Sequence, residues 1–279
     1  MNSSQRDRVQ LLAEWASLRL ARNRVPNTYD NAVYSIANAL KQGTISEPNL
    51  DSTIELLEEL FELDREDHPK DRFTPLEMRL RRAQGSRALP PLGYLLGQGV
   101  NAAPTWRGMP FYKSVWDMAL YNELLWELRP GTIIELGSGE GASADWFATM
   151  TKAFGIDTEV VSFDTQPPIV PAQQGVTFVP SSFPEDIDRV IAWMETLDQQ
   201  APWLIIEDMH VGIEKVLPQL VAKLRPGDYL IVEDSAHKQS VIENLAHGPV
   251  TLEVDQLFTD RFGLNGTSAM NSILRVGNQ

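Results

Sequence analysis

The sequence predicts an α/β protein: a mostly parallel sheet with helices on both faces, preceded by a helical N-terminal region. Three observations carry this. Short apolar runs recur between Thr132 and Asp234 with helical patterns between them, the order of a parallel sheet covered on both sides. A glycine turn, Gly137-Ser138-Gly139-Glu140-Gly141, joins the first run to a helix. Residues 1–84 show helical periodicity instead.

The elements follow in order. Leu11, Leu12, Trp15 and Leu18 recur at helical spacing. A second helix runs from about Asp30 to Leu40 and stops at Gly43, which suits a C-terminal cap. A third carries Ile54, Leu57 and Phe61, with Glu55, Glu58, Glu59 and Glu62 as its solvated face. Thr74-Pro75-Leu76-Glu77 has the chemistry of a helix start. From 85 to 110 the periodicity breaks into glycines and prolines around Tyr94 and Trp106, an irregular lid or linker. Residues 111–279 form the main domain. A helix starts near Ser114 and ends at Leu128. Strands are expected at 132–136, 159–164, 176–179, 203–208 and 229–234, with helices at 185–198 and 212–224. Residues 251–258 and 271–276 pair as a closing edge.

Composition narrows the function. The 279 residues hold 24 Lys+Arg against 38 Asp+Glu, a net charge of −14 that repels phosphate backbones and argues against nucleic acid. Cysteine is absent, which excludes a disulfide framework, a thiolate metal site and a cysteine nucleophile. No run approaches the roughly 18 apolar residues of a membrane span. Residues 1–8 lack the apolar core of a signal peptide, so a cytoplasmic location is expected.

Ligands of an open parallel sheet bind at the carboxyl ends of its strands. Glu135 to Gly141 stands at such an end, where glycines let the backbone turn and approach a ligand. The acid Glu135 suits a cationic amino group. Asp164 closes the second strand, where a carboxylate can accept from both hydroxyls of a ribose. The spacing Gly-x-Gly-x-Gly is one residue shorter than the dinucleotide fingerprint. That counts against one alternative, a nicotinamide-dependent oxidoreductase on a Rossmann-like sheet. A non-catalytic protein that kept the fold is the other.

Glu207-Asp208 and Glu233-Asp234 end the fourth and fifth strands, one strand–helix–strand unit apart. Adjacent parallel strands place both pairs on one rim. Oxygen ligands without cysteine suit a hard cation such as Mg²⁺. His210 and His237 follow the two pairs, and either could deprotonate a hydroxyl. Asp208 is the alternative base.

Glu135 to Gly141 resembles the first motif of class I S-adenosylmethionine-dependent methyltransferases, and Asp164 resembles their ribose acid. The resemblance covers roughly residues 105–276. A narrower likeness, to cephalosporin hydroxylase-like and macrolide or rhamnosyl sugar O-methyltransferases, rests on Trp106-Arg107-Gly108, residues 227–234 and residues 260–266. It implies an S-adenosylmethionine-dependent O-methyltransferase with a small-molecule acceptor of a natural-product or sugar type. A homo-oligomer is compatible with the sequence. The implied cofactor contacts are Glu135, Gly137, Ser138, Gly139, Gly141, Asp164 and Ser181. In the resembling family, acids at the fourth and fifth strand ends bind Mg²⁺ and orient the acceptor hydroxyl. By position the candidates are Glu207 or Asp208, then Glu233 and Asp234. The family often shows Asp-x-Asp at the fourth strand, and Glu207-Asp208-Met209 lacks its third-position acid. The helical region is expected to lie over the cofactor cleft.

Overall fold

The computed structural model describes residues 1–22, 28–66, 72–83, 91–166, 168, 175–196 and 201–278. Residues 84–90, which include the start of the expected lid, and 197–198, the expected end of one helix, lie outside these. The chain forms two compact units, Met1–Pro69 and Lys70–Gln279.

The first unit holds helices α1 (Ser3–Arg22), α2 (Thr28–Gln42) and α3 (Glu47–Glu66). Val9, Leu12, Trp15 and Ala16 of α1 meet Val33, Ala37 and Leu40 of α2 and Ile54 and Leu57 of α3 in one buried cluster. Leu11 and Leu18, expected on the apolar stripe, lie off it and are exposed. Glu58, from the acidic run, takes two hydrogen bonds from the Arg8 guanidinium, each 2.5 Å.

The second unit opens with β1 (Phe73–Pro75), α4 (Leu76–Ala83), α5 (Pro91–Gly97) and a two-stranded ribbon, β2 (Thr105–Trp106) and β3 (Met109–Pro110). Then come α6 (Val115–Leu128), β4 (Thr132–Leu136), α7 (Ala142–Ala153), β5 (Glu159–Asp164), β6 (Val176–Pro180), α8 (Ile187–Thr196) and β7 (Trp203–Glu207). The chain closes with α9 (Ile213–Val221), β8 (Tyr229–Val232), a 3-10 turn (Ser235–His237), α10 (Gln239–Leu245), β9 (Leu252–Asp255), α11 (Gln256–Thr259) and β10 (Ile273–Val276).

The eight-stranded sheet has the order β1-β9-β10-β8-β7-β4-β5-β6. Strands β8 to β6 in that order are parallel. The β10, β9 and β1 edge is antiparallel. Alternate residues of each central strand feed opposite faces, as the pleat requires. Ile134, Leu136, Ile205, Leu230 and Val232 pack with α8, α9 and α10. Ile133, Leu204, Ile206 and Ile231 pack with α6 and α7. The chain leaves β4 towards β5 and β6, then returns to build β7 and β8 on its other side. The carboxyl ends of β4 and β7 therefore flank a topological switch point, where ligands bind in such sheets.

Three differences from the expected layout have physical causes. Phe73–Pro75 pairs with the outer edge of β9, in register Thr74 with Val254, so the helix starts at Leu76 and residues 72–83 belong to the unit that holds the sheet. The expected irregular segment contains α5 and the β2–β3 ribbon. Strands β7 and β8 end before Asp208 and Glu233, because the chain turns away there to present its acids. Among the described residues no helix is long and apolar enough to cross a membrane.

Candidate active site

The glycine turn follows β4. Gly137 has φ +90°, and a Cβ there would come within 2.7 Å of the Asp208 carbonyl and the Met209 Cα. Only glycine lets the β4 turn pack directly on the segment that leaves β7. The contact is fixed from both sides: Gly137 N–H donates to the Phe163 carbonyl at 2.8 Å, and Asp208 N–H to the Leu136 carbonyl at 2.8 Å. Gly139, with φ +54°, has open space where a Cβ would stand. Its N–H donates to Asp164 Oδ2 at 2.8 Å, so the second-strand acid sits against the turn. Asp164 also lines a pocket of about 140 Å³ with Ser162, Gln166, Phe178, Val179 and Pro180. Gly141 heads α7.

Glu135 is fully buried beneath this turn, and its carboxylate oxygens have no hydrogen-bond partner. Burial pushes its pKa up to about 7, against the opposing charge of Lys113, whose Nζ lies 4.0 Å away. Ser143 is near enough to lower that value, yet out of hydrogen-bonding geometry. The Ser138 and Ser181 hydroxyls are likewise buried without partners. Buried polar groups are normally satisfied. An orphaned carboxylate, two orphaned hydroxyls and an open glycine turn fit a ligand bearing an amine and several hydroxyls.

The acid rim is less uniform than its sequence. Glu207 is completely buried. It accepts from Lys238 Nζ at 2.8 Å and from the backbone amides of Met209 and His210 at 3.1 and 3.3 Å. Glu233 is buried too, with Lys113 Nζ 2.5 Å from Oε2 and the Tyr121 hydroxyl donating to Oε1. The structure brings neither glutamate to a shared cation site. It does gather Asp208, His210 and Asp234, each offering a ligand atom within 4.8 Å of the others. His210 Nε2 lies 3.4 Å from Asp208 Oδ1 and 3.7 Å from Asp234 Oδ2. His210 and Asp234 both adopt positive φ, 60° and 45°, which turns these side chains back over the strand ends. His237 is exposed, its ring centroid 6.1 Å from that of His210.

Lys113 ties three strand ends together. Its Nζ reaches Glu233, Asp208 Oδ2 at 2.9 Å, and the neighbourhood of Glu135. Ser114 caps α6 in a capping box with Asp117, which fixes the backbone that carries the lysine. Burial opposes the lysine's charge, but the three acids outweigh it and hold its pKa well above the usual value. Burial would raise Asp208, yet the Lys113 charge and hydrogen bond keep it below the usual carboxylate range. Burial, reinforced by Asp208 and Asp117, drives Glu233 well above it.

Tyr94 borders this rim, and Trp106 is held against α7. Tyr94 of α5 donates its hydroxyl to Asp234 Oδ1 at 3.2 Å. Trp106 of the ribbon donates its indole N–H to Asp145 Oδ2 at 2.5 Å, with the Arg107 guanidinium 5.3 Å over its ring. Lys113 and Lys238 escaped the sequence reading. Each is a lone lysine whose partners are remote in the chain, and only the demand of buried acids for a counter-charge points to them.

The sequence profile of the rhamnosyl O-methyltransferase/CmcI family matches residues 98–250. A rhamnosyl O-methyltransferase of Mycobacterium leprae (strain TN) is 34% identical over 162 residues, which cover 55% of this chain and 70% of the relative. That of Mycobacterium bovis (strain BCG / Pasteur 1173P2) is 34% identical over 178 residues, covering 60% and 70%. A CmcI structure described as an Mg-SAM form is 28% identical with a TM-score of 0.55, covering 76% of this chain and 88% of its own. Another, described with SAH, is 27% identical with a TM-score of 0.52, covering 76% and 95%.

Proposed function

This chain belongs to the rhamnosyl O-methyltransferase/CmcI family, and on that premise we propose that it transfers the methyl group of S-adenosylmethionine to a hydroxyl of a sugar-type acceptor. The observation that carries this reading is the backbone contact of Gly137 with Asp208 and Met209. It sets the methyl donor's turn against the Asp208–His210–Asp234 cluster, so donor and proton acceptor adjoin.

The bound cofactor supplies a methyl already activated on a sulfonium, which leaves the protein alignment and proton removal. Glu135, whose oxygens lack hydrogen-bond partners, would meet the cofactor ammonium. Asp164 would exchange its hold on the Gly139 amide for the ribose hydroxyls, and Ser138 and Ser181 would offer further polar contacts. His210 would take the acceptor proton as the methyl passes from sulfur to the acceptor oxygen, the methyl–sulfur bond breaking and S-adenosylhomocysteine leaving. Asp208 Oδ1, 3.4 Å away, stabilises the resulting imidazolium. His237 touches neither acid and is the lesser candidate.

Asp208 and Asp234 would hold Mg²⁺, with His210 beside them. Two single carboxylate oxygens from neighbouring strand ends fit an ion that keeps several waters and takes few protein ligands. When bound, the ion supplies Lewis acidity that lowers the acceptor hydroxyl's pKa. Tyr94, bonded to Asp234, would stand on the acceptor side of the cluster.

Calorimetry with S-adenosylhomocysteine, followed by product analysis with S-adenosylmethionine and a panel of rhamnosides, tests the reading. Binding and methylated sugar are expected. No S-adenosylhomocysteine binding would overturn it.

A further inference from the structure

We propose that Lys113 is a positioning residue, an internal cation that holds the acid rim together when no divalent ion is bound and opposes the binding of one. The inference rests on the reading that Asp208 and Asp234 take that ion.

The geometry is specific. Lys113 is 3% exposed and stands where β4, β7 and β8 end side by side. Its ammonium contacts Glu233 Oε2 at 2.5 Å and Asp208 Oδ2 at 2.9 Å, and lies 4.0 Å from Glu135 Oε1. With Asp234, four carboxyl groups crowd around one ammonium, because Lys238 is committed to Glu207, and those that are ionised share it. Like charges this close repel unless a cation stands among them. A lysine ammonium is a compact point charge with several donors, the side chain nearest in character to a bound metal ion. By taking one oxygen of Asp208, it leaves the other aimed at His210. Tyr121 of α6, the helix that follows the lysine, donates to the other oxygen of Glu233 and holds this glutamate in place. A divalent ion entering beside Asp208 therefore meets a positive charge already on that residue. Repulsion weakens its binding, in return for acids that stay oriented without it.

The test uses the full-length protein, Lys113→Met and Lys113→Arg, with Mn²⁺ as the probe. Spin-resonance titration reads the free ion, thermal unfolding in EDTA and in Mn²⁺ reads the rim, and S-adenosylhomocysteine affinity reports the fold. Lys113→Met should bind Mn²⁺ at least about tenfold more tightly, since a repelling charge is gone. It should melt lower than the parent in EDTA and gain more from Mn²⁺ than the parent does. Lys113→Arg, which keeps the charge, should bind Mn²⁺ as the parent does. Turnover of Lys113→Met should fall even with Mn²⁺ saturating, because Asp208 loses its orientation. A merely structural lysine would instead weaken cation binding and cofactor binding together. Unchanged or weaker Mn²⁺ binding by Lys113→Met overturns the inference, as does a variant that stays unfolded in Mn²⁺. If neither parent nor variant binds Mn²⁺, the cation reading of the site fails as well.

Discussion

Replacing Glu135 by Gln tests the cofactor site by titration. Glu135 is buried, its oxygens lack hydrogen-bond partners, and its pKa stands at about 7 in the free protein. Only the ionised form attracts the cofactor ammonium. With that pKa, roughly one-tenth of the sites are ionised at about pH 6 and roughly nine-tenths at about pH 8. S-adenosylhomocysteine should therefore bind roughly tenfold more tightly at about pH 8, about 1.4 kcal/mol. Calorimetry in buffers of different ionisation enthalpy should find nearly one proton released per binding event at the lower pH. Glu135→Gln should bind more weakly throughout, without the slope. The same shift bears on stability. The folded protein holds a proton that the unfolded chain releases between about pH 4.5 and 7, so this contribution is complete below that window and lost as pH rises through it. The cost at about pH 8 is about 3 kcal/mol as an upper figure, and free Glu135→Gln should be more stable there by up to that amount. An affinity that is flat with pH in the parent, or equally steep in the variant, would refute the reasoning.

Two glycines of one turn should respond differently. Gly137→Ala drives a Cβ to 2.7 Å from backbone and should cost about 3 kcal/mol or more by denaturant unfolding, whereas Gly139→Ala meets open space and should cost only about 1–2 kcal/mol while weakening S-adenosylhomocysteine binding. His210→Ala should lower kcat by roughly 10²–10⁴-fold and His237→Ala only a few-fold in steady-state assays, since only His210 faces Asp208 and Asp234. Lys238→Met leaves Glu207 buried and unpaired and should lower stability by about 3–5 kcal/mol in chemical denaturation.

The central fold is legible in the sequence because its strands are buried on both faces. Residues 203–207 are apolar but for Glu207 and residues 132–136 but for Thr132 and Glu135, and short apolar runs between helices leave few topologies open. The Ser114 cap was legible because capping is local chemistry. Phe73–Pro75 was not, since a three-residue edge strand exists only by virtue of β9, nearly two hundred residues on. The same holds for α5, which local signals rich in glycine and proline argue against.

The site divides along the same line. Glu207-Asp208 and Glu233-Asp234 read as two equivalent pairs, but consecutive residues at a strand end point to opposite sides. The pleat sends Glu207 inward to Lys238 and leaves Asp208 facing His210. In the second pair Glu233 turns in to Lys113 and Tyr121, while Asp234 adopts positive φ and faces out. The chemistry of the cluster thus depends on which member of each pair is neutralised. That is decided by lysines 31 and 120 residues distant from their glutamates. Periodicity cannot find such partners, but charge balance can narrow the search. Acids at the ends of fully buried strands need cations within reach, and a lysine bordering an apolar stretch is where such a cation must come from. Lys113 follows Phe111 and Tyr112 immediately before a capped helix, and Lys238 opens α10. Both therefore belonged among the candidate residues on electrostatic grounds before any geometry was known.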